Sequence, residues 1–288
     1  MPVFTRRGGK SRYRLPVLHL LPRNRAGDWL FGAILFRRWH GRWPRRHGGT
    51  IDDAMFRLKT SEEIVRPLRV FVSDKEQMKE HVRQRLGEAF NVPTIAVLRS
   101  WEEARAFDFP ARCVIKPTHM SGAVILRMAG EPIDCDLIAD WFATDFYDYA
   151  RERNYRGLAP KVIVEPFAFD QNWPNAFRAF CLGGRAKLLH ANIDRPGSLT
   201  RSFFDRDWRP VPIFSVDRAV GGFPRPANLP LMLHAAETLA RDFDFIRVDL
   251  YSDGETVMVS ELTNCPFNAN FPFASRESEE LATKMIYG

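Results

Sequence analysis

The sequence predicts an α+β fold in two parts, and three observations carry that prediction. Between Thr50 and Arg153, helical patterns alternate with short apolar runs. From Lys161 onward the chain is mostly strand-like, punctuated by turn signals such as Gly183-Gly184 and Ser252-Asp253-Gly254-Glu255. With 288 residues, 45% hydrophobic and 27% charged, it can bury a core sized for one large unit or two small domains.

Thr50 is placed to cap a helix through Met55, Phe56 and Leu58, and Ser73 or Asp74 to cap a second, Lys75 to Leu86, whose Met78, Val82 and Leu86 share a face. Thr94 to Leu98 reads as a strand, and Ser100-Trp-Glu-Glu opens a short helix. Arg112 to Lys116 and Ala123 to Arg127 flank a Thr-His-Met-Ser-Gly turn and so form a hairpin. Ile133 to Arg153 is expected to be helical, with Asp145, Asp148, Arg151 and Glu152 on its wet face. Strands follow at Val162 to Glu165, Arg178 to Leu182 and Ala186 to Asn192. The Pro- and Gly-rich stretch 196–226 is expected to be a long functional loop. Leu231 to Phe243 returns to helix, and Phe245 to Tyr251 pairs with Thr256 to Leu262 across the Asp253-Gly254 turn. These boundaries divide the chain into a basic segment, 1–48, and two units, 49–160 and 161–288.

Charge is uneven. Twelve Arg and Lys between Met1 and Arg46 against the single acid Asp28 make that segment +11, leaving −4 of the total +7 for the rest. Trp29, Leu30, Phe31, Ile34, Leu35 and Phe36, followed by Arg37, Arg38 and Trp39, suit either an amphipathic helix at an anionic membrane or a helix docked on the protein itself. No recognised nucleic-acid module accompanies the charge, so nucleic acid is not an expected partner. The apolar run Trp29 to Phe36 is too short to span a bilayer. Cys113, Cys135, Cys181 and Cys265 lack paired ligand spacing and read as free thiols. The expected setting is the cytoplasm, with the inner face of the membrane as a second location.

The last hairpin brings Asp249 and Glu261 opposite one another. Paired hard oxygens suit Mg²⁺, and Asn264 or Thr263 could add a ligand. Ordinary strand acids at the surface are the other reading. Lys116 ends an apolar strand just before a turn whose Ser121 and Gly122 offer backbone N–H groups, a possible phosphate cradle. Neither G-x-x-x-x-G-K-S/T nor G-x-G-x-x-G occurs, which weakens P-loop and Rossmann readings. Glu165, before Pro166-Phe167, fits a hinge that meets a nucleoside, or simply a strand-end acid. Arg178 and Arg195 project from the central strand pair and Arg247 lies two residues before Asp249, where guanidinium forks match phosphate or carboxylate. Arg201, Arg206 and Arg209 read as loop arginines, solvated or lining an acidic substrate.

Taken in order, Asp74-Lys75 opening a helix, Val114-Ile-Lys116 before His-x-Ser-Gly, Glu165 in Val-Glu-Pro-Phe, Arg178-Ala-Phe-Cys-Leu-Gly-Gly, Phe245-Ile-Arg-Val-Asp-Leu-Tyr and Glu261-Leu-Thr resemble the ATP-grasp superfamily. The resemblance is greatest to the TupA-like ATP-grasp proteins associated with teichuronopeptide and other cell-surface polysaccharide synthesis, and covers about Leu35 to Phe273. It implies an ATP-grasp fold, two α+β subdomains with antiparallel sheets clasping the nucleotide, preceded by the basic helical segment. It also implies ATP and Mg²⁺ as cofactors and a ligase joining a carboxylate to an amine, either of them small or polysaccharide-linked. Lys75, Lys116, Ser121 and Gly122 would then bind phosphates, Glu165 and the Phe167 backbone the nucleoside, and Asp249, Glu261 and Asn264 magnesium. Arg178, Arg195 and Arg247 would act on phosphate or acyl phosphate. The chain departs from the family pattern at Ala176-Phe177-Arg178, where Asp-Tyr-Lys is common, and at Asn264 to Asn268. A non-catalytic nucleotide-binding scaffold and a sugar-nucleotide glycosyltransferase are the alternative functions.

Overall fold

The computed structural model describes residues 4–6, 18, 20–195, 198–216 and 219–288, with the side chains of 4–6, 193–195 and 198 outside the description. After β1 (Phe4–Arg6), Asn24 caps α1 (Arg25–His40) by accepting the Gly27 N–H, and Gly41 ends it in the left-handed conformation at φ 69°. Phe31, Ala33, Leu35 and Phe36 of α1 are buried, while Trp29, Leu30 and Trp39 stay partly exposed. The apolar side of the basic segment is therefore largely docked on the protein itself.

Next come α2 (Ile51–Thr60), α3 (Pro67–Phe71) and α4 (Lys75–Leu86). Asp74 caps α4 by accepting the Glu76 and Gln77 N–H groups. Met78 and Val82 face the core, leaving Lys75 and Lys79 one turn apart on another face. The first sheet contains β2 (Ala96–Leu98), β3 (Cys113–Pro117), β4 (Val124–Arg127) and β5 (Val162–Glu165), with α5 (Trp101–Ala106) between β2 and β3. Its order is β1-β4-β3-β5-β2, antiparallel throughout. Ile115, Ile125, Val162 and Val164 pack with Leu137, Ile138 and Trp141.

Those last three side chains lie on α6 (Cys135–Phe142), and α7 (Phe146–Ala150) follows, so the single helix expected over 133–153 is two. The side chain of Asp145 accepts the Tyr147 N–H and restarts the helix, a local competition at which Asp excels. Arg151 is left-handed, at φ 48°. Far from forming a wet face, Arg151 is buried on Asp28 at 3.1 Å, and Glu152 is buried as well.

The second sheet runs β6 (Asn175–Leu182), β7 (Arg185–Arg195), β8 (Ser198–Phe204), β9 (Pro210–Val211), then, after α8 (Leu229–Ala240), β10 (Phe245–Ser252) and β11 (Val257–Thr263). Its order is β11-β10-β6-β7-β8-β9, again antiparallel. The expected loop of 196–226 is thus partly sheet. The alternation of Arg201 and Phe203 with Ser202 and Phe204 was too polar to stand out as a strand, although pairing with β7 stabilises it.

On one face of this sheet Ile246, Val248 and Leu250 meet α8 and α4, since successive side chains alternate across a strand. On the other, Phe180, Leu188 and Phe203 pack with α1, α2 and α9 (Arg276–Tyr287). Two boundaries from the sequence move accordingly. β5 hydrogen-bonds into the first sheet, so the crossover between sheets follows Glu165 and is not at 161, and α2 belongs with the second sheet's core rather than the first unit.

Candidate functional site

Cross-strand register builds the site. Glu261 on β11 pairs with Asp249 on β10, which pairs with Arg178 on β6, which pairs with His190 on β7. All four lie in one row across the sheet. Thr263 and Arg247 occupy the neighbouring row, two residues along each strand. The 7%-exposed Asp249 is held from both sides: Arg247 Nε and a terminal Nη donate to its two oxygens at 2.6 and 2.7 Å, and Arg178 Nε donates at 3.0 Å. A second Arg178 nitrogen reaches His190 Nε2 at 3.0 Å, which requires that nitrogen to accept and the ring to be neutral. Burial opposes the Arg247 charge and Asp249 more than restores it, so its pKa is raised.

The first sheet supplies the lysines. Lys116 Nζ donates to Glu165 Oε2 at 2.7 Å, and Lys79 pairs with the other oxygen. Glu165 is 4% exposed. Burial would raise its pKa, but the two lysines outweigh this and lower it. Lys116 shows the mirror image: burial disfavours the ammonium, and Glu165, Tyr251 and Glu261 together raise its pKa. Tyr251 and Glu261 lie on the second sheet, so the Lys116 ammonium lies within electrostatic reach of both sheets' acids. Lys75 is lowered by burial, against Glu261, which raises it, while Lys116 adds to the fall.

The turn from β3 to β4 is tied to α4. Thr118 Oγ1 donates to Asp74 Oδ2 at 2.7 Å, the Lys75 N–H donates to the Thr118 carbonyl at 3.2 Å, and Lys75 Nζ reaches the Met120 carbonyl. Ser121 is half-buried, and Gly122 is exposed at φ 78°, a conformation glycine takes without strain. His119 is buried with Nε2 3.0 Å from the Trp141 carbonyl, a structural position. In the hinge, the Phe167 carbonyl accepts the Asp170 N–H at 3.1 Å, and Arg112 sits 4.6 Å from the Phe167 ring centroid.

The acidic pair and its two arginines sum to zero charge, and both Asp249 oxygens already accept from guanidiniums, so a magnesium ion would find its free ligand in Glu261. Like charges directly opposite on neighbouring strands repel. Asp249 is neutralised by two guanidiniums, whereas Glu261 has no hydrogen-bond or ion-pair partner among the described residues. Thr263, on the same strand face as Glu261, accepts from Arg247 at 3.0 Å. Asn264 does not fit. Its oxygen accepts from Arg69 at 2.9 Å and its nitrogen donates to the Arg69 carbonyl and Ser73 Oγ at 3.0 and 3.2 Å, so its polar atoms hold α3 and are turned away from the pair. One residue beyond Thr263, it points to the opposite face.

A family model described as TupA-like ATPgrasp matches residues 56–286, most of the chain and all of this site. The chain belongs to the TupA-like ATP-grasp family. No curated protein matches it. Among solved structures similar to this ATP-grasp chain are D-alanine–D-alanine ligases from Bacillus anthracis, complexed with ATP, and from Helicobacter pylori. The first has 15% identity, a TM-score of 0.37 and coverage of 68% of this chain and 54% of that one. The second has 16% identity, a TM-score of 0.41 and coverage of 76% and 62%. D-cycloserine synthetase matches with 14% identity, a TM-score of 0.38 and coverage of 75% and 70%. The chain spans little more than half the length of the first of these ligases.

Of the residues nominated from the sequence, the structure thus brings Lys75, Lys116, Glu165, Arg178, Arg247, Asp249 and Glu261 near one another. Arg195 lies at the end of β7, with its side chain outside the described residues. Sequence reasoning missed Lys79, whose only signal was its position one turn after Lys75, and His190, a polar residue inside an apolar strand. It also placed Arg201 in a loop, whereas this residue is buried in β8 with its guanidinium 5.4 and 5.2 Å from the Phe267 and Phe271 rings. Phe267, Asn268 and Ala269 follow one another at φ 55°, 56° and 62°, a run of strained backbone of the kind that clusters at functional sites.

Glu152 gives the site a pH signature. Burial, with Glu261 adding, pushes its carboxyl up to about 7 from 4.5, against the pull of Lys59. Between these values the folded chain holds a proton that the unfolded chain releases. Its contribution is therefore fully present below the unfolded value and is lost as pH rises through 7. The loss is about 3 kcal/mol, as one unit is worth about 1.4 kcal/mol. Relative to the unmodified chain, Glu152→Gln is expected to gain several degrees of melting temperature between pH 5 and pH 8 in chelator; a constant difference would remove Glu152 as the source.

Proposed function

We propose that this chain is an ATP- and Mg²⁺-dependent carboxylate–amine ligase that forms an amide through an acyl phosphate. Its setting would be the biosynthesis or modification of a cell-surface polysaccharide of teichuronopeptide or exopolysaccharide type. The observation that carries the reading is the Glu261-Asp249-Arg178 row, whose Glu261 lies within electrostatic reach of Lys75 and Lys116. Membership of the TupA-like ATP-grasp family supports the reaction class, and the setting is what the resemblance to the TupA-like proteins implies.

In this reading a carboxylate oxygen of the substrate attacks the γ-phosphorus and ADP departs. The amine then attacks the acyl carbon, loses a proton, and inorganic phosphate leaves. Lys75 and Lys116 hold phosphate oxygens, with the turn at Ser121 and Gly122 beside them. The hinge at Glu165 to Phe167 receives the nucleoside. Arg178 and Arg247, already fixed on Asp249, present guanidinium edges to the transferred phosphoryl group, so little reorganisation is needed as charge develops. Asp249 and Glu261 would hold the magnesium ion, which when bound would supply positive charge against the phosphates. Arg201 beside Phe267 suits the carboxylate substrate.

Purified chain incubated with ATP, Mg²⁺ and a panel of carboxylates should release ADP, and hydroxylamine should trap the acyl phosphate as a hydroxamate. ATP binding without ADP release across the panel would instead identify a scaffold, and tighter binding of UDP-sugars than of ATP a glycosyltransferase. Peripheral contact with anionic membrane is proposed from Trp29, Leu30 and Trp39, partly exposed beside Arg37 and Arg38. Co-sedimentation with phosphatidylserine vesicles should fall in Trp29→Ala/Trp39→Ala, and absence of sedimentation by the unmodified chain would end that proposal. Among the described residues no helix is long and apolar enough to cross a membrane.

A further inference from the structure

Away from the nucleotide row, three chain segments converge on a second polar cluster. His40 is the last residue of α1, Asp52 lies in the first turn of α2, and Glu279 in the first turn of α9. One side-chain donor atom from each lies within 4.8 Å of the other two. Asp52 is 1% exposed. One of its oxygens accepts the Phe271 N–H at 3.2 Å, while Oδ2 has no hydrogen-bond partner and points into the cluster, 3.8 Å from His40 Nε2. Glu279 accepts from Thr50 Oγ1 and lies 3.6 Å from Arg42. Arg42 is itself committed to Asp53 through two bonds of 2.8 Å. With the imidazole neutral, Asp52, Asp53 and Glu279 counted as ionised exceed the Arg42 guanidinium by two negative charges.

We propose that His40, Asp52 and Glu279 form a binding site for a divalent transition cation of the Zn²⁺ class. One imidazole nitrogen and two carboxylate oxygens are a donor set that such ions accept, and their charge cancels the excess. The Ala269 carbonyl lies 3.3 Å from His40 Nε2. That spacing is about what two ligands at roughly 2.1 Å subtend at a tetrahedral angle, which makes this oxygen a fourth donor once the imidazole proton sits on Nδ1. In the Nε2–H tautomer the same contact is a hydrogen bond, so cation binding selects the tautomer. A cavity of about 480 Å³ lined by Trp39, Arg42, Thr50, Phe271, Ser275 and Thr283 opens onto the cluster and admits water as a further ligand. Ala269 ends the left-handed run that begins at Phe267, whose ring packs against Arg201 and Arg247. A bound ion would therefore anchor the turn that supports two arginines of the nucleotide site.

The test is zinc content and calorimetric Zn²⁺ titration of the full chain after chelator treatment, with Co²⁺ substitution to read coordination from its visible absorption. One equivalent is expected, unchanged in Glu261→Gln and lost in Asp52→Asn and Glu279→Gln. Asn at 52 still accepts the Phe271 N–H, so this variant should fold. Melting temperature should rise by several degrees with zinc in the unmodified chain and not in either variant. Absence of zinc binding and of a Co²⁺ spectrum in the unmodified chain would overturn the proposal and leave a shared proton as the neutraliser. Undiminished binding in both variants would overturn it equally.

Discussion

Replacing Glu261 with glutamine is expected to lower ATP turnover by roughly 10²- to 10³-fold, the scale on which removal of one preorganised charge-stabilising group acts. The melting temperature should stay close to that of the unmodified chain. Glu261 has no hydrogen-bond or ion-pair partner among the described residues, so glutamine leaves no buried group orphaned, and it relieves the repulsion from Asp249 across the strand pair. Asp249→Asn is a less clean probe, because Asp249 neutralises both Arg247 and Arg178 and its loss strands two guanidiniums. ADP release measured over a range of Mg²⁺ concentrations, together with thermal melts, checks the expectation. Turnover within a few-fold of the unmodified chain would remove Glu261 from the reaction.

Glu165→Gln is expected to act chiefly on stability, costing about 3–5 kcal/mol, the usual penalty for removing one partner from a buried ion pair. Here the lost charge serves two ammonium groups, Lys116 and Lys79, and Lys79 Nζ also donates to the Val92 carbonyl at 2.6 Å and Thr94 Oγ1 at 2.8 Å. Those two bonds hold Lys79 in place after the substitution, so its charge stays buried and cannot swing into water. A fall of roughly 5–8 °C in melting temperature follows for a chain of this size. Adding Lys79→Met to Glu165→Gln should recover part of it, since the second change removes one of the uncompensated charges. Equal losses in the single and double variants would indicate that the pair is not coupled. Glu165 sets the direction of both lysines.

Much of this was legible because it was local. The Asp253-Gly254 turn fixes the register of the outer hairpin, which continued unchanged would set Asp249 opposite Ser260; a bulge between Asp249 and Leu250, which no turn residue announces, brings Glu261 there instead. Asp74 announces the start of α4 and so the position of Lys75. Asn264 was misassigned for want of non-local information: proximity to Glu261 along the chain suggested a ligand, while its partners Arg69 and Ser73 lie nearly 200 residues away in sequence. Arg151 and Glu152 failed in the same way, as charged residues near a helix end that tertiary contacts bury. β8 was hidden by its polar composition, which only pairing with β7 compensates.

By itself, then, the sequence determined the order of most elements, the antiparallel hairpins and the family pattern, and it nominated most of the charged residues that the structure brings together. These follow from periodicity, capping and turn chemistry, forces that act over a few residues. Tertiary structure decided the rest. Packing α4 beside β5 placed Lys79 on Glu165, pairing β6 with β7 made His190 the acceptor for Arg178, the turn after β11 buried Arg201 against Phe267, and three helices on the second sheet gathered His40, Asp52 and Glu279. Those contacts join segments far apart along the chain, and the charge balance of a buried group depends on every neighbour that packing brings to it.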